Sequence, residues 1–146
     1  METINIKFRL EPEWFNNAPK IKVAVNDQIL LDVELGTRLE YEQTVELEDD
    51  SNHQLTFTLY NKTKYDTVFK DGVIEKDTLI KISNIELEDI DLASMLSLNK
   101  ELFYYEHDTN GTTQLEKHTL YDTLGCNGTA TINFTTPFYI WLLENL

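Results

Sequence analysis

The chain has few of the residues that mark most enzymes and cofactor binders. One cysteine, Cys126, stands among 146 residues, which excludes an internal disulfide and a Cys-rich metal site. Five glycines, at 36, 72, 111, 125 and 128, are too few and too scattered for a phosphate loop or a dinucleotide fingerprint. Basic residues are scarce: 12 Lys and Arg face 26 Asp and Glu, a formal net charge of -14. Phosphate recognition needs cations in excess, so nucleic acid is not an expected partner. No apolar run approaches the roughly 18–20 residues that span a bilayer, and no membrane partner is expected. Residues 1–6 lack the basic and apolar regions of a signal peptide.

What is present is β patterning over a length suited to one domain, residues 1–146. Ile4, Ile6, Phe8 and Leu10 alternate with Thr3, Asn5, Lys7 and Arg9, the period of a half-buried strand. Pro12 and Pro19 bracket a loop carrying Trp14 and Phe15. Residues 20–35 read as a hairpin turning at Asn26-Asp27 and stopped by Gly36. Residues 39–60 read as a second hairpin, its odd positions apolar but for Gln43 and its even positions acidic but for Thr44 as far as the 48–52 turn cluster. Asp71-Gly72 closes a small hairpin between residues 67–69 and 73–75. A strand over 78–88 switches sides near Ser83-Asn84, which predicts a bulge or bend that carries it to the opposite sheet. Residues 101–107 and 113–120 flank the turn signal Asp108-Thr109-Asn110-Gly111, and a last strand covers 129–134.

Helix is confined to two places. Asp91 caps a short helix over 92–98, and residues 138–146 form a helical turn or a strand, with Pro137 suited to a first helical position. Eight or more short strands at spacings near ten residues predict an all-β fold, a two-sheet antiparallel β-sandwich of jelly-roll type with one or two short helices.

Candidate chemistry is sparse. His53, His107 and His118 show no metal-ligand spacing and read as surface residues, and Cys126 reads as a small buried hydrophobe. No motif supports a Cys–His nucleophile, and no pattern fixes the carboxylate separation a glycosidase requires. The chain is therefore expected to be no enzyme. The sequons at Asn61, Asn110, Asn127 and Asn133 read as chance products of a Thr- and Asn-rich chain. Residues 61–77 have too few apolar side chains for the core and cross the surface. Their Asp66, Asp71 and Asp77 are expected to gather on one rim. Either a calcium ion, which takes six to eight oxygens, or the nearby Lys64, Lys70 and Lys76 offsets their charge. Of the aromatics Trp14, Phe15, Tyr60, Tyr65, Phe69, Tyr104 and Tyr105, those left exposed suit stacking on sugar rings. Tyr65, Phe69 and Trp14 are the candidate ligand-binding set.

The closing segment carries a resemblance. Leu124-Gly125-Cys126-Asn127-Gly128 and then Ile132-Asn133-Phe134-Thr135-Thr136-Pro137-Phe138-Tyr139-Ile140-Trp141-Leu142-Leu143-Glu144-Asn145-Leu146 resemble the C-termini of small marine and T4-like bacteriophage proteins. Leu59-Tyr60-Asn61-Lys62, Asp66-Thr67, Asp71-Gly72 and Lys76-Asp77 are similar to the same group, which in turn looks like calcium-dependent xylan-binding carbohydrate modules. The group's pattern has an aromatic where Cys126 stands. The resemblance implies a β-sandwich acting as a glycan-binding module or virion accessory protein, made in the host cytoplasm and taken into a virion, with a glycan or a virion protein as partner. The alternative is a purely structural virion or assembly protein working through protein–protein contacts, with residues 138–146 as its interface. A carboxylate-dependent glycosidase ranks third.

Overall fold

A computed structural model describes residues 1–96, 99, 101–109, 114–119 and 122–145. Along the chain lie β1 (Glu2–Glu13), β2 (Lys20–Val25), β3 (Gln28–Glu34), β4 (Leu39–Leu47), β5 (Asn52–Tyr60), β6 (Thr67–Lys70), β7 (Val73–Asp77), β8 (Leu79–Leu87) and β9 (Ile90–Asp91). Helix α1 (Ala93–Leu96) then precedes β10 (Phe103–Asp108), β11 (Leu115–Thr119), β12 (Thr123–Leu124), β13 (Gly128–Thr135) and helix α2 (Phe138–Asn145). One sheet has the order β12-β8-β1-β4, with β9 also on β8; the other runs β11-β10-β13-β5-β2-β3. The two pack together as an all-β, antiparallel sandwich with two helices. Strands β6 and β7 pair only with each other. Among the described residues, no helix is long and apolar enough to cross a membrane.

The period-two pattern determines which side chains enter the core. Ile4, Ile6, Phe8 and Leu10 of β1 are buried, as are Leu55, Phe57 and Leu59 of β5 in the facing sheet. The Phe8 ring meets Phe57 edge-on at 5.0 Å and stacks on Tyr41 at 4.9 Å. Each such burial contributes about 1.5–3 kcal/mol. Helix α2, rather than a strand, closes one end. Phe138 and Trp141 pack on Phe134, with Phe103 against Trp141, at centroid distances of 5.6 to 6.4 Å. Its Tyr139, Ile140 and Leu143 face outward.

Two sequence expectations are corrected. Residues 39–60 do not form a hairpin: β4 pairs with β1, and β5 pairs with β2 and β13 in the other sheet. Alternation tells which face a strand buries and not which strand it joins. The intervening residues arch between the sheets. Thr136 Oγ1 donates to Glu48 O at 2.6 Å and accepts from Ser51 N at 3.2 Å, and Asp50 takes a left-handed conformation at φ 50°. Strand β8 does carry the expected bulge, with Asn84 at φ 52°, yet it stays beside β1 throughout. The extra residue restores the inward phase, so Ile80 and Ile82 before it and Ile85 and Leu87 after it all reach the same core.

The remaining outcomes are local. Asp91 Oδ1 accepts from Ala93 N at 2.8 Å and so caps α1, while residues 97 and 98 of the expected helix lie outside the described residues. So do Asn110 and Gly111 of the turn between β10 and β11. Pro12 belongs to β1 but falls past Leu39, the end of β4, where a free edge tolerates its missing N–H. His53 and His107 are buried rather than on the surface, because they continue the inward parity of Leu55 and Phe57 in β5 and of Phe103 and Tyr105 in β10.

The register places several connections at one end of the sandwich. Lys20 pairs with Tyr60 and with Glu34, Glu13 with Leu79, and Gly128 with Leu59. The 14–19 loop, the 61–78 segment and the 125–127 turn are therefore neighbours.

Candidate functional site

The 61–78 segment leaves β5 through a clamp. Asn127 accepts from Lys62 N and donates to Lys62 O, both at 2.8 Å. Lys62 Nζ donates to Asp77 Oδ1 at 2.7 Å and to Gly125 O. Thr63 then opens a short 3-10 turn over Lys64–Asp66. Asp66 reaches back so that its Oδ2 accepts from Thr63 N at 2.8 Å and from Thr63 Oγ1 at 3.2 Å, a capping arrangement. Strands β6 and β7 follow, joined by Asp71 and Gly72 at φ 54° and 79°, the positive pair that a type I′ turn requires. At the base, Thr67 pairs with Asp77 and donates to its Oδ1 at 2.7 Å, while Thr78 N donates to Asp66 O at 2.9 Å.

This arrangement carries Asp71 away from the other two aspartates, which both stand at the hairpin base. Asp71 sits at the hairpin tip, four residues from Thr67, or about 13 Å at the rise of a strand. Asp77 shares a face with Thr67 and is held by Lys62, which sequence reasoning passed over in favour of Lys64, Lys70 and Lys76. Asp66 closes the 3-10 turn, its carbonyl accepting from Thr78 N and its Oδ2 turned back to Thr63. Among the described residues, no group of three or more His, Cys, Asp and Glu converges as metal ligands.

The aromatic candidates are exposed, with Tyr65 at 69%, Phe69 at 60% and Trp14 at 44%. They share one end of the sandwich but do not form a single flat platform. Phe69 pairs with Ile74. On the other face of the hairpin, Lys76 Nζ stands 5.8 Å from the centroid of the Phe15 ring, next to Trp14. Trp14 Nε1 donates to Gly36 O at 3.0 Å, which fixes its ring, and Lys64 lies over Tyr65 at 5.2 Å. Val68, Val73 and Ile74 are exposed as well. Tyr105 is buried and Tyr104 half-buried, with Lys117 over the Tyr104 ring at 4.0 Å.

Between the hairpin base and the 14–19 loop lies a cleft of about 270 Å³, lined by Asn17, Lys20, Glu34, Tyr60, Asn61, Lys62, Asp66 and Thr78 among others. A larger groove of about 360 Å³ runs over the outer face of β1 and β4, but ion pairs hold its walls: Lys7 to Asp89 and Arg9 to Glu40, each at 2.8 Å. Arg38 and Arg9 beside Glu40 hold its carboxyl below the usual range. The smaller cleft differs. Asp66, 5% exposed, and Thr78, 2% exposed, line it, and Asp66 Oδ1 and Thr78 Oγ1 have no hydrogen-bond partner among the described residues. Buried polar atoms are almost always paired, so these two are exceptions, and both are enclosed by protein rather than open to the cleft. The Thr63-x-x-Asp66 spacing was a legible capping signal that would have turned Asp66 inward; nothing in the sequence singles out Thr78.

The other polar clusters are internally used. His53 contacts Asn26 Nδ2 and Glu48 O at 3.0 Å. His107 and His118 face each other across β10 and β11, Nε2 to Nε2 at 2.9 Å, with each Nδ1 against a backbone carbonyl. Two imidazoles fall short of the three protein ligands of a catalytic zinc site. Cys126 is half-buried rather than buried; burial pushes its thiol up, away from the thiolate a nucleophile needs. Compared with protein-family models, curated proteins and solved structures, the chain finds no match in any of the three.

Proposed function

We propose that this chain is a non-catalytic binding module that engages carbohydrate through the end of the sandwich formed by the β6–β7 hairpin and the 14–19 loop. The observation that carries the reading is the hairpin itself. A two-stranded ribbon without a core is marginal in water, yet this one is anchored by the Thr63–Asp66 cap, the Lys62–Asp77 ion pair and a type I′ turn. It holds Tyr65, Phe69, Val73 and Ile74 in solvent, where they contribute nothing to the core. Contiguous exposed apolar side chains of this kind mark contact surfaces. Aromatic faces beside a polar cleft suit sugars, whose rings have apolar faces and hydroxyl edges.

A glycan array probed with the wild-type chain and with Phe69→Ala tests it. Binding to at least one glycan class, lost or weakened about tenfold in the variant, is expected. No binding across the array, or equal binding by both proteins, would refute the reading. A place in a phage particle rests on the resemblance of residues 124–128 and 132–146 and of the motifs within 59–77. The second reading, a structural protein acting through protein contacts, is favoured by the outward Tyr139, Ile140 and Leu143 of α2. Light scattering tests its self-associating form, for which a concentration-independent monomer is the opposing result.

A further inference from the structure

We infer that the glycan taken by this end of the sandwich is acidic, a polysaccharide bearing carboxylate or sulfate groups, and that Lys70 and Lys76 pair with those groups. The inference rests on the carbohydrate reading above and names the class of glycan. Its first ground is how the chain spends its cations. Asp and Glu outnumber Lys and Arg by 26 to 12, so a cation has no shortage of partners. Lys7, Arg9, Arg38, Lys62 and Lys81 each form an ion pair. Lys64, Lys70 and Lys76 form none among the described residues, although the sequence sets them among three aspartates. Asp66 is turned to Thr63, and Asp77 is held by Lys62 and Thr67. Asp71 at the tip and Glu75 in the β7 bulge are exposed and pair with no lysine among the described residues. Residues 61–77 hold four lysines and four carboxylates, so the net charge of -14 lies outside them.

The second ground is placement. Val68 pairs with Lys76 and Lys70 with Val73, which puts both lysines on one face of the ribbon, two ladder positions or about 7 Å apart. Phe69 and Ile74 take the opposite face. The lysine face is turned to the 14–19 loop, where Lys76 Nζ lies 5.8 Å from the centroid of the Phe15 ring. Such a contact is weak at an exposed site and leaves the N–H donors of the ammonium unspent. Val68 and Val73 share this face and are exposed. The face therefore offers an apolar strip with two cations on it. A sugar ring can lay its apolar side on the strip while an anionic group at its edge meets an ammonium. A neutral glycan would leave both lysines without a partner. An acidic one is repelled by the rest of the chain, which favours approach at the neutral hairpin.

The test is isothermal titration calorimetry of the full chain with polygalacturonate, dextran sulfate and uncharged dextran. At least one polyanion should bind, about tenfold or more tighter than dextran, and the two arms separate carboxylate from sulfate as the group recognised. Raising NaCl from about 50 mM to about 500 mM should weaken that binding about tenfold, because the screening length shortens from about 14 Å to about 4 Å. Lys70→Gln and Lys76→Gln should each weaken it about three- to fivefold, and both together about tenfold. Lys7→Gln removes the same charge from β1 in the other sheet and should change it less than about twofold. If both polyanions are refused, or are bound equally by the double variant or equally at both salts, the inference is overturned. The carbohydrate reading fails separately, by a blank array. An uncharged glycan bound while both polyanions are refused leaves that reading standing without this one. Cosedimentation with vesicles of phosphatidylserine and phosphatidylcholine completes the set. Binding there, with both polyanions refused, assigns the lysines to a lipid surface and overturns the acidic glycan.

Discussion

Replacing Thr78 with valine should make this protein more stable, because the substitution removes a polar atom that the fold leaves without a partner. The side chain is 2% exposed and its Oγ1 makes no hydrogen bond among the described residues. Valine has the same branched shape, so strand propensity and rotamer freedom barely change. The backbone bonds of residue 78, from its N–H to Asp66 O and to Asp77 Oδ1, are untouched. What changes is the desolvation of one hydroxyl, about 1–3 kcal/mol when unpaired. A gain of about 1.5 kcal/mol is expected, which raises Tm by about 3–6 °C in a domain of this length. Thr67→Val is the matched control. The same kind of atom is removed at the same hairpin base, but there the hydroxyl donates to Asp77 Oδ1 at 2.7 Å, so the control should lose about 1.5–3 kcal/mol. Urea melts of the three proteins decide it. If both variants are destabilised alike, Thr78 has a partner in solution, and the reasoning from an unpaired hydroxyl falls with it.

Three further outcomes follow from the geometry. Gly128→Ala should cost about 2 kcal/mol or more in urea melts, because an added Cβ would stand 2.3 Å from Glu106 O and 2.5 Å from His107 Cα. Gly125→Ala, with nothing within 4 Å, should be nearly silent. Lys62→Met breaks an ion pair whose side chains are 11% and 20% exposed. The loss should fall near 2–3 kcal/mol by denaturant midpoint, since Asp77 keeps the donors Thr67 Oγ1 and Thr78 N. Burial holds the Tyr105 hydroxyl well above its ordinary pKa of 10.0, and a group whose folded pKa is raised gives stability that is complete below the unfolded value and lost as pH climbs towards the folded one. Tm should therefore fall above about pH 10, and Tyr105→Phe should flatten that fall. An unchanged slope in the variant would assign the alkaline loss to other groups.

The local features of this fold are the ones its sequence displays. Asn26-Asp27 and Asp71-Gly72 are turn chemistry acting over two residues, and the hairpins they close are formed. The inward sets of β1 and β5 follow from strict alternation. Partner choice is different. Leu47 and Leu55 have the same parity whether they pair in one sheet or face each other across two, and the arch between them is held in part by Thr136, 85 residues from Ser51. The candidate site shows the same division. Exposure of Tyr65 and Phe69 follows from a segment too poor in apolar residues to be buried. That Asp66 turns back to Thr63 while Asp77 is held by Lys62 and Thr67 depends on three-dimensional placement, which composition does not reveal.

The order in which the strands interlock also bears on how the chain is made. Strand β13 lies between β5 and β10, and Glu2 near the start accepts a hydrogen bond at 2.9 Å from Phe138 N, 136 residues later. A nascent chain that has not emerged past about residue 142 therefore lacks a central strand and the Phe138–Trp141 plug. It would display the unpaired edges of β5 and β10 to any neighbour, the kind of surface that invites aggregation. Completion of the domain is thus expected to wait until β13 and the Phe138–Trp141 plug have emerged, and a chaperone would find its substrate in the interval before that.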